Sequence, residues 1–179
     1  GNAEIQSNSD NVRADEIKGS LKLKGRASGV RVHRILGPLD IQTTLKDVTV
    51  SDAAGSCSIT NEHGNVSVSA QSLDIGGVRI RNRNGAIELS LPEGSSFEMD
   101  AVARNGNIQS SYPDLGPSRK DGNSETLKSK IGTGGPRILL ETEYDNIRIS
   151  GTARGAGVRS VRNAKSRNFS NVRLNLGIR

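Results

Sequence analysis

Apolar residues recur in this chain as pairs two apart, and the pairs themselves recur every nine residues. First members run Leu21, Val30, Leu39, Val48, Cys57 and Val66, with partners at Leu23, Val32, Ile41, Val50, Ile59 and Val68. Ala3 with Ile5 and Val12 with Ala14 carry the same phase upstream. Downstream, Ile75 keeps it, Val78 with Ile80 restarts it three residues later, and Ile87 with Leu89 follows nine on. Phe97 with Met99 and then Ile108 come at slightly longer spacings, and Ile138 with Leu140 and Ile147 with Ile149 are again nine apart.

A period of two means strand, because alternate side chains point to opposite faces. Gly, Asn or Asp after each short run means a corner. Units this short cannot bury their apolar pair as isolated hairpins, so they must coil and stack, each turn on the next. The expectation is an all-β, single-domain β-solenoid spanning residues 1–179. Two units per coil would stack Lys22 beside Asp40, whereas three would stack it beside Thr49. With two, the units before Ser110 make about six coils, a body on the order of 30 Å long at ~4.8 Å per coil.

The composition suits a narrow core. Only 32% of residues are hydrophobic, 2% are aromatic and Trp is absent, so Val, Ile and Leu must fill the interior. Abundant Gly, Ser and Asn would otherwise suggest disorder, but the periodic β-branched residues argue against it. Cys57 is alone, which excludes an intrachain disulfide, and no apolar run is long enough to span a bilayer as a helix. The chain opens Gly1-Asn2-Ala3 without Met, as an exported protein relieved of a signal peptide would.

Two segments break the pattern. Residues 110–131 are rich in turn formers and read as an excursion loop. Residues 151–179 hold seven Arg or Lys and no acid, leaving 18 basic against 19 acidic residues upstream. The net charge of +6 thus belongs to the C-terminal segment. There Val172, Leu174 and Leu176 alternate as a capping strand would.

The run Gly132-Thr133-Gly134-Gly135-Pro136-Arg137-Ile138-Leu139-Leu140, followed by Asp145-Asn146-Ile147-Arg148-Ile149, resembles an uncharacterised bacterial family of adhesin-type proteins. Asn61-Glu62-His63-Gly64-Asn65-Val66 and Arg104-Asn105-Gly106-Asn107-Ile108 are similar to its turn-strand unit. The resemblance covers roughly residues 11–150. It implies a secreted or membrane-tethered envelope β-solenoid, with no established activity and no site to carry over. This chain has Tyr144-Asp145-Asn146 where that family usually places Gly in the turn before the last strand.

The Gly-Gly-x-Gly-x-Asp signature of calcium-binding β-rolls is missing, so no metal or other cofactor is expected. Glu141, Glu143 and Asp145 alternate and could share an outward face, as a carbohydrate-cleaving enzyme would need, but a solvated acidic strip is the simpler account. His33, His63 and Cys57 do not assemble from spacing into a zinc site or a triad. His63 reads as a polar corner and Cys57 as core.

Arg79, Arg81 and Arg83 line one strip, and with Arg154, Arg159, Arg162, Lys165 and Arg167 they form the candidate binding set for phosphate or carboxylate groups. With so few aromatics to stack bases, no specific nucleic acid is expected as partner. The leading expectation is a non-enzymatic structural, adhesion or interaction module of the cell envelope with a surface partner. Next comes binding of an anionic polymer or lipid through the basic segment, and third a polysaccharide-acting enzyme.

Overall fold

A computed structural model describes residues 1–7, 11–26, 29–73 and 76–153, and every statement of structure concerns these residues. The strands are β1 (Ala3–Ser7), β2 (Val12–Ile17), β3 (Leu21–Gly25), β4 (Val30–Ile35), β5 (Leu39–Thr43), β6 (Val48–Ala53), β7 (Cys57–His63) and β8 (Val66–Ala70). There follow β9 (Val78–Asn84), β10 (Ile87–Pro92), β11 (Phe97–Arg104), β12 (Ile108–Ser110), β13 (Arg119–Asp121), β14 (Ser124–Ile131), β15 (Arg137–Thr142) and β16 (Ile147–Thr152).

Each nine-residue unit is one strand, and from β1 to β12 successive strands alternate between two facing sheets. Sheet A runs β1-β3-β5-β7-β9-β15-β11-β14-β13, and sheet B runs β12-β16-β10-β8-β6-β4-β2. Leu21 pairs with Leu39 and Leu39 with Cys57, so a coil is two units, or 18 residues, and Lys22 does lie beside Asp40. At β9 the step lengthens to 21 residues, Cys57 pairing with Val78, because the link after β8 is longer. Ile75, read as holding the phase, lies outside the described residues.

Inward positions carry the predicted pairs: Leu21, Leu23, Ile41, Ile59, Ile80, Ile87, Leu89, Ile138 and Leu140 are all essentially sealed. Each such side chain contributes roughly 1.5–3 kcal/mol on burial. The corners approach so closely that side chains are excluded from them. A Cβ on Gly37 would collide with the carbonyl of Gly19, and one on Gly55 with that of Gly37, which forms a glycine column up one edge. Along the other edge Asx side chains accept amide protons from the next coil: Asp47 Oδ1 from Asn65 at 2.8 Å and Asn65 Oδ1 from Ala86 at 3.0 Å.

Inside that second edge runs a polar column: Thr43, Asn61, Asn82 and Thr142, all buried and adjacent in register. Asn82 Nδ2 donates to the carbonyls of Gly64 and Gly85, both at 2.8 Å, and so fastens two corners at once. Buried corner carbonyls must be paired, and these amides do it.

Simple stacking of each turn on the next holds only as far as β10. The link of residues 93–96 skips a rung, so that β11 and β12 stand apart from β9 and β10. The gap is filled by the last strands: β15 pairs with both β9 and β11, and β16 with both β10 and β12, all parallel. The segment that makes this return is Gly132-Thr133-Gly134-Gly135-Pro136. It crosses the start of β11, and a Cβ on Gly135 would lie 2.8 Å from the Ser96 carbonyl oxygen, at a φ of +154°.

The excursion predicted as a loop over 110–131 holds strands. β14 runs antiparallel along β11, and β13 folds back on β14. Its approach is pinned by Tyr112, whose ring meets Phe97 edge-on at 5.3 Å and whose hydroxyl donates to the Pro92 carbonyl at 3.0 Å. Gly151 and Thr152, at the start of the basic segment, end β16, an interior rung. The capping strand expected from Val172, Leu174 and Leu176 lies, with the rest of residues 154–179, outside the described residues.

Candidate functional site

Insertion of β15 beside β9 sets the basic strip against the acidic one. Arg81 stands level with Glu141, and its Nε lies 3.3 Å from Glu141 Oε2. From the other side, Arg104 Nη1 reaches Glu141 Oε1 at 2.7 Å. Arg83 Nε pairs with Glu143 Oε2 at 3.3 Å. Arg79 faces Ser58 and Leu139, so no carboxylate lies directly beside it. These are exposed pairs, worth ~0.2–1 kcal/mol each. Their larger effect is to neutralise groups that the sequence leaves looking available.

Asp145 does not share that face. Its Oδ1 accepts the backbone N–H of Asn146 at 2.7 Å in the corner between β15 and β16. His63, expected in a corner, is instead the last residue of β7, its Nδ1 3.1 Å from the Thr44 carbonyl oxygen. His33 lies on sheet B, 3.6 Å from Asp52. Among the described residues no three His, Cys, Asp or Glu side chains gather to hold a metal ion. Arg154, Arg159, Arg162, Lys165 and Arg167 lie outside the described residues.

Cys57 is buried in the core, where desolvation pushes its thiol up to about 12 from an ordinary 9.0. It is therefore expected to resist thiol reagents at pH 8 in the folded protein and to react only as the chain unfolds, which timed labelling with and without urea will show. The linkage has one sign. The unfolded thiol loses its proton from about pH 9 while the folded one keeps it to about 12, so stability falls as pH rises through that window.

An open cleft of about 650 Å³ lies on the outer face of sheet A, at the ends of β1, β3, β5 and β7. Its floor is a row of equivalent positions in successive coils: Gln6, Lys24, Gln42 and Thr60. Arg26, Thr44 and Glu62 rim it, whereas the hydroxyl of Thr43 turns inward to the buried polar column and is closed off from the cleft. Amides, hydroxyls and both signs of charge thus converge on one recess, able to donate to and accept from an extended polar ligand. The apolar spacing singled out none of these residues. The signal was present in the recurrence of long polar side chains at 6, 24 and 42, one coil apart. A second, smaller hollow between β11, β14 and β15 has its lysines paired, Lys128 with Asp100 at 3.6 Å and Lys130 with Glu98 at 3.7 Å.

The family description Toastrack DUF4097 matches residues 1–150, most of the chain. The chain belongs to the Toastrack family. Neither curated proteins nor solved structures give a match. Toastrack DUF4097 is a domain of unknown function, so membership brings the stacked all-β architecture and no functional residue. In this Toastrack domain the matched span includes every strand but the end of β16. It therefore takes in the cleft, the arginine–glutamate ladder and the returning rung.

Proposed function

We propose that this Toastrack domain is a non-enzymatic interaction module of the bacterial cell envelope, exported and presenting the outer face of sheet A to a surface partner, as in adhesion. The observation that carries the reading is the polar cleft. Side chains from four successive coils line one recess, in register, on a scaffold in which β3, β5 and β7 are held from both sides and β1 from one. A site built on rigid strands recognises an extended polar chain by repeating the same contact along it.

The carboxylates point away from catalysis. Glycoside cleavage calls for one carboxyl free to give a proton and a second across the scissile bond. Glu141 and Glu143 instead pair with the arginines of β9 and β11, so neither carboxyl stands free to face a scissile bond.

Binding to envelope extract distinguishes this reading from electrostatic attachment through residues 151–179. Retention is expected to change little as ionic strength rises from about 0.01 to about 0.15 M. It is expected to fall several-fold on Lys24→Ala with Gln42→Ala, and to survive deletion of residues 154–179. A steep loss with salt, together with loss on that deletion, would instead establish attachment to an anionic polymer or lipid.

A further inference from the structure

The two ends of the coil stack differ. At one end sheet A terminates in β13, three exposed residues, Arg119, Lys120 and Asp121. A short, charged edge strand resists pairing with another chain. Sheet B there ends in β12, also three residues, where Glu125 Oε2 from the hairpin accepts the Ile108 amide proton at 3.1 Å. At the other end β1 and β2 pair on one side only, with β3 and β4. Both are longer, neither contains proline, and their inward residues Ala3, Ile5, Val12 and Ile17 rest against the core only partly buried.

We infer that this open end joins the same end of a second copy of the chain, edge to edge, about a two-fold axis. The charges of β2 are self-complementary in one register. Antiparallel pairing centred on Ala14 sets Arg13 opposite Asp15 of the second copy, and Asp15 opposite its Arg13. Centring on Arg13 or on Asp15 would set like charges face to face, which destabilises a cross-strand pair. For β1, centring on Ile5 sets Glu4 opposite uncharged Gln6.

About these centres Ile5 meets Ile5 and Ala14 meets Ala14, inward against inward. In β2 the alternation breaks at Glu16, whose φ is +56°, so the pairs across the axis run from Arg13 to Asp15. Ile5 and Ala14 are nine residues apart, half of the 18-residue coil, and the inferred axis passes through both centres. In the single chain Arg13 Nε bonds Asp15 Oδ2 at 2.8 Å within its own strand, so forming the dimer exchanges two such pairs, one in each copy, for two across the axis.

Sedimentation of the 179-residue chain is expected to show a dimer at about 0.1 mM. Asp15→Arg is expected to weaken it about tenfold or more, the equivalent of ~1.4 kcal/mol. Adding Arg13→Asp to that variant restores opposite pairs and is expected to restore the dimer. Ala14→Cys is expected to give a disulfide-linked dimer on mild oxidation, with Cys57 sealed in the core and unable to compete. Circular dichroism establishes that each variant is folded. A monomeric chain overturns the inference, as does a dimer that ignores Asp15→Arg or fails to cross-link through Ala14→Cys.

Discussion

A chain ending at Pro136 is expected to lose its cooperative unfolding transition altogether, while one ending at Ala153 keeps it. In a plain solenoid, removing the last strands trims an end and leaves the remaining coils as they were. Here β15 and β16 fill an interior rung, and their loss strips pairing partners from β9, β10, β11 and β12 together. Ile138, Leu140, Ile147 and Ile149 go with them, all sealed in the core. At roughly 1.5–3 kcal/mol each, these four alone approach the ~5–15 kcal/mol net stability of a domain. Deleting β1 and β2 removes as many strands from an end, and that protein is expected to melt cooperatively at a somewhat lower temperature. Thermal melts followed by circular dichroism compare the three chains. A sharp transition in the chain ending at Pro136 would mean that β11 can close onto β9 unaided.

Phe97→Ala is the single substitution expected to cost most, about 3–5 kcal/mol. Phe97 is the largest fully buried side chain among the described residues. It opens β11 where the returning segment passes, and it supports Tyr112 through a T-shaped contact with planes at 72°. Such ring pairs add ~0.5–1.5 kcal/mol beyond burial, and Tyr112 in turn anchors the entry to the β13–β14 hairpin. Phe97→Leu, which keeps most of the volume, is expected to cost far less. Urea denaturation gives both values, and equal losses would show that the ring contact contributes nothing.

The coil was legible because its physics is local. Alternation within five or six residues fixes a strand, and the recurrence of Leu21, Leu39 and Cys57 fixes the stacking partner. The skipped rung was not. The link from β10 to β11 has four residues where the links before β3, β5 and β7 have three. One added residue is the whole local trace of a strand left out. The arginine–glutamate ladder was hidden for the same reason, since Arg81 and Glu141 come level only once β15 is known to return. Turn-forming residues concealed β13 and β14, strands whose place is set by the exposed edge of β11 more than by their own alternation. The cleft escaped notice because its residues point outward, where the apolar period carries no information.

The returning rung also sets an order of events during synthesis. While the chain emerges, β9 through β12 are complete before β15 exists, and the slot between β9 and β11 is empty. Its two walls are in register, since Val78 and Met99 both face Ile138 in the finished fold. The four strands around the slot therefore wait on β15 and β16 for their missing partners. Folding should show a slow late step confined to β9–β12, with the coils from β1 to β8 already protected from hydrogen exchange before it occurs.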